Sequence, residues 1–220
     1  MGDKGKKDKE KGQIILSLLL AASVLFQPAS LSSAPAVSTT KEIRNYQGKH
    51  LDPFDRNYDN SIKGPQQVNP QTYRLAITGL VEFPQSLTYQ DVLKLPSHER
   101  VITLHCVEGW KETLLFKGVR LKDLLDRAKV KPGILTVIFY AADGYSSSLP
   151  YKDVERLDLL LASEINGLTL DAKRGFPFQV VAESKLGYKW VKWVTRIELS
   201  DKPYQGFWEK QGYDNQADVK

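Results

Sequence analysis

From residue 73 onward, short apolar runs alternate with polar turns, and the period of each run points to an element. Tyr73-Arg74-Leu75-Ala76-Ile77-Thr78-Gly79 alternates with a period of two and stops at glycine, which predicts a half-buried strand. Thr88 is placed to cap a short helix over Tyr89 to Lys94 that ends before Pro96. Arg100 to His105 predicts a second strand, and Thr113 to Phe116 a third, closed by Lys117-Gly118. Leu121, Leu124, Leu125 and Ala128 fall on one face of a helix over Leu121 to Ala128. Leu135 to Ala141 is apolar throughout, the pattern of a buried strand. Beyond the Asp143-Gly144-Tyr145 turn, Ser146 to Leu149 reads as a strand and Tyr151 to Arg156 as a short helix. Leu159 to Ala162 is apolar again, and Phe178 to Ala182 is strand-like. Gly187 interrupts the chain, and Trp190 to Leu199 predicts a long strand rich in β-formers.

Strands outnumber helices, no regular βα repeat is present, and no G-x-G-x-x-G opens a helix. The pattern argues against a dinucleotide-binding fold and for a single strand-rich mixed α+β domain over residues 71–203. Residues 204–220 form a polar C-terminal tail with two aromatic anchors, Phe207 and Trp208. Residues 37–70, rich in Asn, Asp, Gly, Pro and Lys, lack sustained periodicity and read as an extended arm.

The first 36 residues have a different grammar. Lys4, Lys6, Lys7, Lys9 and Lys11 precede an apolar run from Ile14 to Phe26, and Ala34-Pro35-Ala36 follows. This is the layout of a signal peptide, or of a membrane anchor that stays in place. The run is shorter than the ~20 apolar residues of a full span. Either reading exports the globular domain to the periplasmic or extracellular face, with membrane contact through residues 13–27 in the anchored case. No cysteine follows the run, which excludes a lipid anchor, and no arginine pair marks a twin-arginine route.

Composition narrows the chemistry. Of 220 residues only Cys106 is a cysteine, so no intrachain disulfide and no multi-thiolate zinc site can form. The three histidines, His50, His98 and His105, have no metal-ligand spacing. Much of the net charge of +5 sits in the N-terminal lysines, and no zinc finger, helix-turn-helix or RNA-recognition signature occurs, so nucleic acid is not an expected partner.

The densest candidate chemistry is Thr103-Leu104-His105-Cys106-Val107-Glu108-Gly109-Trp110. A strand end here delivers a thiol, a carboxylate two residues on, and an indole. A lone cysteine is more often a buried small hydrophobe, Glu108 fits a surface carboxylate, and Trp110 fits a core aromatic. A metal held mainly by its own organic ligand, with one protein thiolate, is also compatible with this composition.

Several stretches together resemble the molybdopterin-binding domain of the sulfite-oxidase-fold oxidoreductases. They are Asn60-Ser61-Ile62-Lys63-Gly64, Tyr73 to Leu80, His105 to Trp110, Asp143-Gly144-Tyr145, Gly175-Phe176-Pro177 and Gly187 to Trp193. The resemblance implies that Cys106 is the one protein ligand of molybdenum in a molybdenum–molybdopterin cofactor. It also implies that Trp190, Val191 and Lys192, with Lys189 beside them, help hold the pterin phosphate. Asn60 and Lys63 match arm residues that touch the pterin, and Asp143 matches a turn that approaches it. Lys189 and Lys192 are then expected on the same cavity as Cys106, with His105 pointing away. Glu108 is a candidate for shaping the pocket or moving protons.

Departures refine the expectation. Sulfite oxidases carry arginines just after the cysteine, whereas Glu108 here would repel a sulfite anion. The Cys-x-Glu-x-Trp pattern is nearer the bacterial sulfoxide-reductase-like branch, but Arg174 stands where that branch has an asparagine and Gln179 where it has an arginine. No haem signature or second domain is seen, so electrons would come from a separate electron-transfer partner, with a membrane-bound one among the candidates. The expected function is oxygen-atom or two-electron transfer on a small molecule or an oxidised side chain. The alternatives are a non-catalytic binding domain of the same fold that has lost its metal, and a structural envelope protein.

Overall fold

A computed structural model describes residues 41–56 and 59–220. The expected signal peptide or anchor lies outside the described residues. Among those described, no helix is long and apolar enough to cross a membrane.

The arm contains a two-stranded ribbon, β1 (Asn45–Tyr46) and β2 (Lys49–His50). Gln47 and Gly48 both take positive φ at its tip, as a tight hairpin turn requires. Then come β3 (Arg74–Gly79), β4 (Gln85–Thr88) and α1 (Tyr89–Leu93). The Thr88 side chain accepts from the Asp91 backbone while Asp91 reaches back to Thr88, a reciprocal cap that starts α1. A long hairpin, β5 (Ser97–His105) and β6 (Lys111–Arg120), leads into α2 (Leu121–Ala128). β7 (Thr136–Ala141), β8 (Ser146–Pro150) and α3 (Tyr151–Arg156) follow. The last strands are β9 (Leu160–Ile165), β10 (Leu168–Thr169), β11 (Gln179–Val181) and β12 (Val194–Ser200).

Two five-stranded sheets carry the fold. One runs β10-β9-β6-β5, with β11 also on β9; the other runs β4-β3-β12-β7-β8. In the second, β12 is parallel to β3 and antiparallel to β7. One hydrophobic cluster draws on both sheets and on α2, including Leu75, Ile77, Phe116, Leu124, Leu161, Val180 and Ile197. The architecture is the expected strand-rich α+β domain.

Three local expectations are corrected. Lys117-Gly118 does not close a strand: β6 runs on to Arg120, and its register against β9 shifts there. Gly118 instead permits close approach, because a Cβ at this position would lie 2.1 Å from the Leu161 carbonyl oxygen. The predicted strand from Trp190 to Leu199 exists only from Val194. Trp190 to Trp193 is irregular backbone, with Trp193 at φ +50°, and it is tied to neighbouring loops by Trp190 N–H to Gly187 and Trp193 N–H to Gly175. Residues 204–220 are not free of the domain. Phe207 N–H donates to Ser146, Leu186 N–H to Ala217 and Val219 N–H to Ser184.

Candidate active site

Cys106 sits in the tight loop joining β5 to β6. His105 and Lys111 form the last pair of the ladder, Cys106 N–H donates to Trp110, and Gly109 N–H donates back to Cys106. Gly109 at φ +87° lets the chain return so soon. The half-buried thiol therefore hangs from a rigid hairpin.

A small polar cluster surrounds it. Asn60 Nδ2 lies 3.8 Å from the sulfur and donates to Glu108 Oε2 at 3.2 Å. Trp110 Nε1 donates to the same oxygen at 3.0 Å. These two donors hold the Glu108 carboxyl below its usual range, so it is ionised at neutral pH. Burial pushes the Cys106 thiol up; the Glu108 charge adds to this, and the backbone N–H groups of Glu108 and Val107 oppose it. Raised by burial, the sulfur stays a thiol at neutral pH, and a bound metal would deprotonate it.

Cys106 opens on a cavity of about 310 Å³. Asn60, Glu108, Asp143, Trp190 and Lys192 line the same cavity, brought together from the arm, two turns and the irregular stretch before β12. Gly175 makes the Lys192 approach possible: it sits at φ +94°, and a Cβ there would be 2.9 Å from Lys192 Cβ. Burial lowers the Lys192 ammonium, partly offset by Asp59, whose Oδ1 is 3.5 Å away. Asp143 is nearly buried, and its Oδ1 accepts from Tyr145 N–H, so it both shapes its turn and faces the cavity.

The other expected residues lie elsewhere. Lys189 does not line the cavity: its fully buried ammonium donates to Glu209 at 2.5 Å, to the Ser148 carbonyl and to Asn215. Val191 is packed in the core. Lys63 is exposed, its Nζ 3.5 Å from where a side chain on Gly144 would begin, beside the Asp143 turn. His105 is not among the lining residues.

The structure adds residues that the sequence did not single out as site residues. Glu112, on β6, is buried in the wall and pairs with Arg174 through both carboxylate oxygens. Tyr145, Tyr188, Trp208 and Tyr213 supply aromatic surface. The cluster of aromatics in an otherwise polar C-terminal stretch was the one available signal for the last two.

The lining suits an anionic, sulfur-ligated heterocycle. Gln179 is 4% exposed, lines the cavity, and its amide has no hydrogen-bond partner among the described residues. Lys192 is a cation paired with Asp59 at 3.5 Å and facing the wall that also carries Glu112. A soft thiol, a cation, an amide with unused donors and aromatic faces are the groups such a ligand requires. Among the described residues no cluster of His, Cys, Asp and Glu could hold a metal ion alone, so a metal here would arrive with its own ligands.

Comparison with known proteins agrees with this donor set. A family profile described as "Oxidoreductase molybdopterin binding domain" matches residues 62–208. The uncharacterized oxidoreductase YuiH of Bacillus subtilis is 34% identical over 155 residues, covering 70% of this chain and 78% of that protein. A putative protein-methionine-sulfoxide reductase subunit, YedZ1 of Azospira oryzae, is 30% identical, covering 73% of this chain and 61% of that one. The crystal structure of the sulfane dehydrogenase SoxCD from Paracoccus pantotrophus superposes with a TM-score of 0.60 at 30% identity, covering 63% of this chain and 41% of that one. The chain thus spans less than two thirds of the last two proteins.

Proposed function

The chain belongs to the oxidoreductase molybdopterin-binding domain family, and on that premise we propose that it is a molybdenum–molybdopterin enzyme of oxygen-atom or two-electron transfer. The observation that carries the reading is the shared cavity of Cys106 and Lys192, a soft ligand and a cation on one surface. When bound, the cofactor supplies reversible two-electron chemistry at molybdenum. The chain supplies the rest. Cys106 offers a thiolate to the metal. Lys192 and the Gln179 amide would hold the pterin phosphate, and Asn60, Asp143 and Trp190, which line the same cavity, would border the pterin. Lys63 approaches it only by way of the Asp143–Gly144 turn. Lys189 and Val191 act from behind, as supports of the Trp190–Lys192 segment.

Glu108 defines the substrate's charge. Its ionised carboxylate lies 4.0 Å from the Cys106 sulfur, so an anion such as sulfite is repelled and a neutral acceptor or donor is favoured. Glu108 Oε2, 4.0 Å from the sulfur, is also an acceptor placed to take up a proton. Electrons are proposed to pass to or from a separate partner. The lysine-rich, apolar N-terminal segment supports a location outside the cytoplasm, cleaved or tethered through residues 13–27.

The test is Cys106→Ser. A serine alkoxide is a harder donor and its hydroxyl is far less acidic than a thiol. The variant should keep the wild-type circular dichroism spectrum and lose reduction of small neutral sulfoxides and N-oxides by an artificial electron donor. Undiminished turnover would remove Cys106 from the role assigned to it.

A further inference from the structure

The family match ends at Trp208, and the chain beyond it grips one stretch of the cavity wall at successive residues. Gly187, Tyr188, Trp190 and Lys192 line the cavity. Just before and within that stretch, Lys185 pairs with Asp218 at 2.7 Å, Leu186 N–H donates to the Ala217 carbonyl, and the Tyr188 hydroxyl donates to the Asp214 carbonyl at 2.6 Å. Lys189 falls between two lining aromatics but does not line the cavity itself. It is fully buried, and its ammonium donates to Glu209 Oε1 at 2.5 Å, to the Ser148 carbonyl at 3.0 Å and to Asn215 Oδ1 at 3.2 Å.

These anchors differ in what their loss would do. The Asp218 side chain is 65% exposed, and without it Lys185 keeps Asp153 at 2.8 Å. The Lys189–Glu209 pair has no solvent access at either side chain. Of the three acceptors around the Lys189 ammonium, Glu209 alone carries a charge. Without it the buried ammonium keeps only neutral partners, a costly state that residues 188–190 relieve by turning toward water. That turn carries Tyr188 and Trp190 off the wall.

The pair also sets direction. Glu209 Oε1 accepts from Ser147 Oγ as well, and Lys189 donates to the neighbouring Ser148 carbonyl, so both ends of the ion pair are fastened to β8. The other carboxylate oxygen, Oε2, is buried without a hydrogen-bond partner among the described residues. The pair thus gives up stability that an apolar contact of similar volume would retain. Placement of the segment, more than stability, is what such a pair contributes.

We propose that Glu209 is a positioning residue of the cavity: through Lys189 it holds Tyr188 and Trp190, and Lys192 after them, in place for the pterin. The identity of the ligand rests on the proposed function, while the hold on the wall depends only on this chain.

The test compares full-length wild type with Glu209→Gln, with Lys189→Met combined with Glu209→Gln, and with Gly79→Ala. The last is a destabilised control away from the cavity, since its Cβ would meet the Leu199 carbonyl oxygen at 2.1 Å. The double variant leaves no stranded charge and should recover the urea midpoint that Glu209→Gln loses, so it serves even where Glu209→Gln fails to fold. In protein produced without cofactor, hydrogen–deuterium exchange over residues 187–193 should be about tenfold faster in both Glu209 variants, with β3 unchanged. In protein from molybdenum-replete cells, pterin content should fall about tenfold in both, while Gly79→Ala keeps the wild-type content. Exchange unchanged over residues 187–193, exchange raised equally throughout the chain, or wild-type pterin content in the double variant would each overturn the positioning role. Wild type that carries no pterin, with the selective exchange present in the variants, keeps the hold of Glu209 on the wall and defeats the proposed reaction.

Discussion

Arg174 and Glu112 meet in a two-pronged pair on the wall of the Cys106 cavity, Nη1 to Oε2 at 2.8 Å and Nη2 to Oε1 at 3.1 Å. The guanidinium also donates to the Phe54 carbonyl at 2.8 Å, so the pair fastens the arm to β6. Arg174 is thereby committed to structure, which leaves Lys192, 3.5 Å from Asp59, as the other cation among the described cavity-lining residues. Removing one partner strands a buried charge. Glu112→Gln is expected to cost about 3–5 kcal/mol of stability, and the combination with Arg174→Met less than the sum of the single changes by about 1–3 kcal/mol. A double-mutant cycle by urea denaturation measures both values, and strict additivity would contradict the pairing.

Gly118 carries a purely steric prediction. An alanine Cβ would meet the Leu161 carbonyl oxygen at 2.1 Å and the Ala162 Cα at 2.5 Å, in the middle of a paired strand. Gly118→Ala should lose about 2–3 kcal/mol by overpacking. Gly133→Ala is the control: φ is +88° but nothing lies within 4 Å, so only backbone strain of about 1 kcal/mol applies.

Asp153 predicts a pH dependence. Burial by itself would raise its carboxyl, but the hydrogen bond and charge of Lys185, with Arg156, hold it below the ordinary value. A depressed acid stabilises the fold above its unfolded pKa and loses that contribution as pH falls through its folded value. Lys185, although burial opposes it, is held above its usual value by Asp153 and Asp218, so its contribution stays full across the acid range. Wild type should exceed Asp153→Asn by about 2 kcal/mol at pH 7. The gap should hold down to about pH 4 and close below it. Denaturation of both proteins from pH 7 to pH 3 checks this; a gap that widens on acidification would contradict the assignment.

Elements governed by local pattern were legible. Leu121–Ala128 and Tyr151–Arg156 form helices over the expected residues, and Thr88 caps as its position implied. What failed was set by distant partners. Trp190 to Trp193 looked like strand because aromatic and branched residues favour a half-buried sheet, yet here they are buried by packing of an irregular segment. Lys189 looked like a pocket lysine, but its charge is matched by Glu209, twenty residues downstream in a stretch that read as a polar tail. Cys106 stood out as the one cysteine, and its role, like that of Lys192, came from the resemblance to the molybdopterin-binding family; Glu108 was marked by its place two residues on. Glu112 could not be singled out, because nothing local marks a carboxylate on a strand as part of a cavity, and for Tyr213 the aromatic cluster in a polar stretch was the one hint.

On the proposed function this cavity would hold molybdenum through Cys106, and metal content is the measurement closest to that proposal. Full-length protein from molybdenum-replete cells is analysed by elemental mass spectrometry, with pterin fluorescence after oxidative release, beside Cys106→Ser and Lys192→Met. Wild type is expected to carry near-stoichiometric molybdenum and pterin, Cys106→Ser to retain pterin with altered metal coordination, and Lys192→Met to lose pterin with the fold intact. Wild-type protein, folded and full-length, that contains neither metal nor pterin would contradict the proposal.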